Sequence, residues 1–177
     1  MTVITRTRPG RELTKTTGPL EATLVDLIDL NLQAEQARWV FVGPGTKGIH
    51  MFLDELVDRY RDWHDEIAER LRTLGLSSDE PVTVLAAVTP FELLPGGPLS
   101  DRDVVSFFDG RITRVAKRMS ARAQSMGKQD PEGKDLLLEI ADGLDKLGWM
   151  LRAHPAARRR LSLGRKGRSG QPTPSAA

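Results

Sequence analysis

TKGIHMFLDELVDRYRDWHDEIAERLRTLG, residues 46–75, is the stretch on which the fold turns. Apolar side chains recur at Ile49, Phe52, Leu53, Leu56, Val57, Tyr60, Ile67, Leu71 and Leu74, which is helical period, and Gly75 offers a C-terminal stop. A helix from Thr46 to Leu74 is therefore expected. The same stretch carries four metal-competent side chains, His50, Asp54, Asp65 and Glu69. At about 100° per residue, Asp54 lies roughly 40°, Asp65 roughly 60° and Glu69 roughly 100° round the helix from His50, so all four share one flank. At about 1.5 Å rise per residue, however, His50 and Asp65 stand roughly 22 Å apart, too far for a common ion. The pairs His50/Glu69 and Asp54/Asp65 nevertheless share one midpoint, between Arg59 and Tyr60. Two copies of the helix packed antiparallel about a two-fold axis at that point would set His50 and Asp54 against the partner's Glu69 and the partner's Asp65. Such an isologous dimer would hold two equivalent sites, each shared between subunits.

Reading outward, residues 19–42 place Leu24, Leu27, Ile28, Leu32, Ala34 and Phe41 near helical period, and Gly43-Pro44-Gly45 breaks the segment. Residues 76–99 are interrupted by Pro90, Pro95, Gly96, Gly97 and Pro98, which forbid a long element. A short helix near Ala86–Leu94 is expected there, crossing the bundle. Ser100-Asp-Arg-Asp103 resembles a capping box with Asp in place of Glu and should start a third helix, running to about Met126. Asp130 can cap a fourth, with Pro131 in its first turn, Glu132 complementing the dipole, and Leu136, Leu137, Ile140, Leu144, Leu147 and Met150 on its apolar face. The expected class is all-α: a ferritin-like four-helix bundle with a short crossing helix in the long connection between helices 2 and 3.

At 177 residues, 39% hydrophobic and 28% charged, the chain suits one globular domain with a real core. No run of about 18 apolar residues suggests a membrane span, and MTVITRTRPG has no apolar stretch of the secretory kind. Cysteine is absent, so thiolate metal sites and disulfides are excluded. The cytoplasm is the default compartment. The net charge of +2 hides a division. Residues 1–18 carry four bases and one acid, and residues 155–177 carry Arg158, Arg159, Arg160, Arg165, Lys166 and Arg168 with no acid. Taking these ten bases and one acid from 26 and 24 leaves 16 against 23, or −7, for residues 19–154. An acidic bundle over 19–154 thus carries flexible basic tails at 1–18 and 155–177.

Gln33-Ala34-Glu35-Gln36-Ala37-Arg38-Trp39, the Val42-Gly43-Pro44 break, His50-Met-Phe-Leu-Asp54-Glu55 and Asp65-Glu-Ile-Ala-Glu69-Arg70 resemble the Dps family, mini-ferritins known as DNA-binding proteins from starved cells. The resemblance covers roughly residues 22–152 and is strongest at 33–75. It implies a hollow dodecamer built from two-fold dimers, which oxidises Fe(II), preferably with hydrogen peroxide, and stores ferric iron inside. It implies His50, Asp54, Asp65 and Glu69 as iron ligands, with zinc or manganese as possible competitors. A tryptophan at the Trp39 position lies beside the iron site in that family and can intercept radicals. The acids opening the fourth helix, Asp130, Asp135 and Glu139, fall where the family lines its cation pores, although helix-dipole compensation explains such residues equally well.

One position departs from the family. The residue before the tryptophan is normally a second histidine and here is Arg38. A guanidinium stays charged and has no lone pair for a metal. Arg38 either pairs with Glu35, one turn earlier, or reaches Asp54 or Glu69 and closes the site. His64 lies about 40° from His50 on the wheel and reads as an interface or surface residue rather than a replacement ligand.

Three functions follow. The first is a Dps-like ferroxidase and iron store that protects against oxidative stress. The second is a nucleoid-associated shell whose iron site Arg38 has weakened, binding duplex DNA through Arg158, Arg159, Arg160, Arg165, Lys166 and Arg168, because a flexible polycation neutralises phosphates without reading bases. The third is a structural shell with neither activity in strength. A di-iron site inside a single bundle is disfavoured, because Lys47, Arg61 and Leu151, not glutamates, precede His50, His64 and His154 by three residues.

Overall fold

A computed structural model describes residues 11–42, 46–75, 94–126 and 128–154. Four helices follow in order, α1 (Arg11–Val40), α2 (Thr46–Thr73), α3 (Asp101–Ser125) and α4 (Pro131–Ala153). The α1–α2 and α3–α4 hairpins pack most extensively, and α1–α3 and α2–α4 contacts close the four-helix bundle. Among the described residues the sole extended pairing is an isolated parallel bridge between Phe41 and Leu99. Val42 N–H donates to the Leu99 carbonyl at 2.8 Å and Leu99 N–H to that of Val40 at 3.0 Å. The long connection is thereby tied back to the end of α1 before α3 begins. The crossing helix expected near Ala86–Leu94 falls almost wholly in 76–93, outside the described residues.

Seven of the eight helix ends fall within two residues of the sequence reading, and three show why, for local reasons. Gly75 takes φ +81°, the left-handed conformation that ends α2. At α3, Ser100 Oγ accepts from the Asp103 amide at 3.3 Å while the Asp103 carboxylate accepts from the Ser100 amide at 2.9 Å. Bonding to Ser100 holds the Asp103 carboxyl below its usual range. At α4, Asp130 Oδ1 accepts from the Gly133 amide at 2.9 Å and Pro131 occupies the first turn. The remaining boundary differs. α1 begins at Arg11, inside the segment read as a tail, and passes through Pro19. A proline removes one helical N–H and clashes with the preceding turn, at a cost of about 3 kcal/mol. Thr23 Oγ1 donates to the Pro19 carbonyl at 2.8 Å at this point.

The apolar faces meet as the periodicity requires. Leu27, Leu30 and Ala34 of α1, Ile49, Leu53, Leu56, Tyr60 and Ile67 of α2, Phe108, Ile112 and Met119 of α3, and Leu137, Ile140 and Leu144 of α4 are fully buried. Leu32, counted with the apolar positions of α1, is 48% exposed and belongs to the outer surface. Trp63 fills the α2–α4 seam over Gly143, where any Cβ would run into its ring. A buried ion network crosses from α1 to α3, with Asp26 contacted by Arg122 at 2.7 Å and Arg118 at 3.3 Å. No helix among the described residues is long and apolar enough to cross a membrane.

Candidate metal site on the exposed face of helix α2

The face of α2 opposite its core stripe is left open by the bundle. Asp54, Asp58, Arg61, Asp65 and Glu69 on it are all exposed, and His50 is half-buried at its edge. His50 packs edge-on against Phe41, ring centroids 5.1 Å apart at 74°, so the end of α1 sets the attitude of the imidazole. Within one protomer no three metal-competent side chains converge among the described residues. A single helix imposes that outcome, since about 1.5 Å of rise per residue keeps the two halves of the ligand set apart.

Each half has a partner of its own. Arg38 Nη1 stands 3.3 Å from Asp54 Oδ1 and 3.6 Å from Glu35 Oε2. Two of the three carboxylates expected for it are thus within reach at once, whereas Glu69 of the same chain lies four turns further along α2. Glu35 is also approached by Arg61, at 3.6 Å. At the other end His64 Nδ1 lies 3.1 Å from Asp65 Oδ1. Arg38 engages one oxygen of Asp54; a carboxylate has about four acceptor positions, so the group keeps capacity for a cation. The donor set of one imidazole and three carboxylates suits a hard or borderline divalent ion.

Trp39 is 74% exposed at the end of α1 and is not a core residue, whereas Trp63 is buried. Met51, 62% exposed, lies on the same open side of α2 as Asp54.

The acids of α4 divide. Asp130, expected among pore carboxylates, is only 1% exposed. Its carboxylate caps α4 and receives Arg70 Nη2 at 2.5 Å and Nε at 3.4 Å. Arg70 also binds Glu132, and these bonds hold its guanidinium more firmly charged. Asp130 is therefore a structural tie between α2 and α4, which corrects the pore expectation for that residue. Asp135 and Glu139 are exposed. Partial burial, then Glu139, Asp62 and Glu69, push the Glu66 carboxyl above its usual range, so acids of α2 and α4 crowd one side of the bundle. The basic residues Arg158, Arg159, Arg160, Arg165, Lys166 and Arg168 lie outside the described residues.

The sequence reading missed one feature of the open face. Asp58 and Arg61 share the midpoint of the His50/Glu69 and Asp54/Asp65 pairs. In an antiparallel pairing about that point each Asp58 meets the partner's Arg61. The same arithmetic was available for them, and their exposure leaves them free for such a pairing.

A ferritin-like domain model matches residues 19–160. The DNA protection during starvation protein 2 of Deinococcus radiodurans is 32% identical over 142 residues, which cover 80% of this chain. The chain spans 59% of that relative's length. Among solved structures, the Dps92 protein of Deinococcus radiodurans superposes with a TM-score of 0.77 at 31% identity, over 81% of this chain and 87% of its own. The Dps of Microbacterium arborescens, solved in a high iron form, gives a TM-score of 0.75 at 27% identity, over 86% of this chain and 99% of its own.

Proposed function

The chain belongs to the Dps family of ferritin-like proteins, and from that premise we propose that it is a mini-ferritin that captures, oxidises and stores iron at sites shared between two subunits. The observation that carries this reading is the solvent-facing stripe of α2. His50, Asp54, Asp65 and Glu69 lie on the face the bundle leaves open, with one midpoint for both pairs and, among the described residues, no convergent set inside a protomer. Antiparallel pairing of two α2 helices completes two sites, each with His50 and Asp54 from one chain and Asp65 and Glu69 from its mate. Twelve subunits in six such dimers would enclose the store.

Fe(II) is the substrate. The carboxylates supply negative charge that favours the higher oxidation state, and His50, braced by Phe41, fixes one coordination direction. Each Fe(II) gives up one electron. Hydrogen peroxide takes two electrons and two protons as its O–O bond breaks, leaving two waters. Zinc and manganese would compete for the same donor set. Exposed Asp135 and Glu139 would draw cations inward, and Asp62 and Glu66 of α2 would receive ferric iron. Trp39 would sit at the interface beside the site, placed to intercept radicals.

Mixing two inactive variants tests the shared site. His50→Ala lacks one half of each site, and Asp65→Ala/Glu69→Ala lacks the other. Each alone should oxidise Fe(II) under peroxide no faster than buffer. With random pairing, half of the dimers are hybrids with one intact site of two, so about a quarter of the activity should return on co-assembly. No recovery would mean that the ligands do not come from two chains.

A second reading has its own support. The contact between Arg38 and Asp54 favours a nucleoid-associated shell with a weakened oxidase site, in the cytoplasm, holding duplex DNA by its basic tails. Wild-type protein that fails to accelerate Fe(II) oxidation yet retards duplex DNA would favour this reading.

A further inference from the structure

We propose that Arg38 is a displaceable counter-cation that neutralises Asp54 while the two-fold site is empty and transfers to Glu35 when Fe(II) binds. The inference rests on the shared-site reading above and adds to it how the site is regulated.

The geometry is that of a switch with two berths. One nitrogen, Arg38 Nη1, is 3.3 Å from Asp54 and 3.6 Å from Glu35. Transfer between them needs a small side-chain rotation and no movement of either helix. The Glu35 side chain is the more enclosed, at 24% exposure against 55% for Asp54. Arg61 shares Glu35 in the protomer. In the antiparallel dimer Arg61 faces the partner's Asp58, which frees Glu35 to take Arg38 whole.

Electrostatics supplies the reason for a guanidinium at this position. Pairing two α2 helices brings Asp54 opposite the partner's Asp65, and facing carboxylates repel unless a cation lies between them. A neutral side chain at this position would leave that repulsion uncancelled by any residue of α1. Arg38 is charged at every ordinary pH and cancels it in advance. The dimer then assembles without metal, and iron loading becomes an exchange of one cation for another. The exchange lowers the affinity for Fe(II), because the incoming ion must displace a bound positive charge.

The test uses the full chain in four forms: wild type, Arg38→Gln, Arg38→Lys and Glu35→Gln. Anaerobic Fe(II) calorimetry reads affinity, sedimentation of metal-free protein reads assembly, and circular dichroism checks that helix content is equal. Arg38→Gln should bind Fe(II) about tenfold tighter, and its metal-free form should dissociate at about tenfold higher concentration, with Fe(II) restoring assembly. Arg38→Lys should keep metal-free assembly. Glu35→Gln, which touches no ligand, should weaken Fe(II) binding several-fold by removing the second berth; an ordinary surface ion pair would leave it unchanged. Arg38→Gln with unaltered affinity and assembly, in a protein whose mixed-variant complementation works, overturns this inference alone. Failed complementation removes the shared site and the switch together.

Discussion

Reversing the charges at Asp58 and Arg61 probes the two-fold register without touching a metal ligand. Both residues are exposed in the protomer, and Arg61 approaches Glu35 no closer than 3.6 Å. Neither Asp58→Arg nor Arg61→Asp should disturb the bundle. In the dimer each Asp58 meets the partner's Arg61, and the symmetry makes two such pairs. An exposed ion pair contributes roughly 0.2–1 kcal/mol, and replacing attraction by repulsion changes each by about 0.4–2 kcal/mol. Two pairs give about 0.8–4 kcal/mol per dimer, or roughly fourfold to several-hundredfold in dissociation constant. Equilibrium sedimentation over a concentration series, at low and high salt, measures this directly. Each single variant should dissociate, less so at high salt where the repulsion is screened. The double variant Asp58→Arg/Arg61→Asp should reassemble, because the swap restores opposite charges at the same positions. Single variants that assemble like wild type, or a double variant no better than the singles, would show that α2 does not pair about a point between Arg59 and Tyr60. The shared metal site would then fall as well, since it depends on the same midpoint.

Three other perturbations separate structural from functional roles. Arg70→Ala should cost about 2–4 kcal/mol in urea denaturation, because it strands the buried Asp130 carboxylate with only its cap bond; stability equal to wild type would make Asp130 a pore candidate again. Asp103→Asn should lose about 1 kcal/mol of stability at pH 7. Because bonding to Ser100 holds the Asp103 carboxyl below the ordinary carboxylate range, the wild-type advantage should be fully present above that range and vanish as pH falls through the lowered value; a difference that persists in strong acid would contradict the capping account. Deleting residues 156–177 should abolish or sharply weaken retardation of duplex DNA and flatten its salt dependence by about 0.9 in log–log slope for each phosphate the tail would have neutralised; undiminished binding would exclude the C-terminal tail.

What the sequence made legible was local or symmetric. Helix α2 is readable because its apolar period and Gly75 act within a few residues of one another, and α3 and α4 are readable because their caps are tetrapeptide features. The tie between Arg70 and Asp130 was not. Sixty residues separate the two, and each alone reads as a surface charge; Asp130 was expected in a pore because its burial emerges only when α2 and α4 are packed. Asp26 is similar, a polar position on an amphipathic helix until Arg118 and Arg122 arrive from α3. Leu32 shows the converse, an apolar residue in period that ends on the outer face because it sits at the edge of the arc that α2 and α3 cover.

The metal-competent residues are an intermediate case. A two-fold axis on a helix turns a position in one chain into a position in its partner by reflection about one point, so ligand pairing can be read from numbering alone. That arithmetic applies only to residues on α2 and says nothing of Arg38, which lies on α1 and whose contacts depend on how two helices are spaced. The structure puts it 3.3 Å from Asp54 and 3.6 Å from Glu35, a bridging position between two helices that sequence cannot supply. Family membership predicts a site at this position. On the shared-site reading, Arg38 makes occupancy a competition between charges, so affinity for iron, rather than the presence of ligands, is what the guanidinium should set.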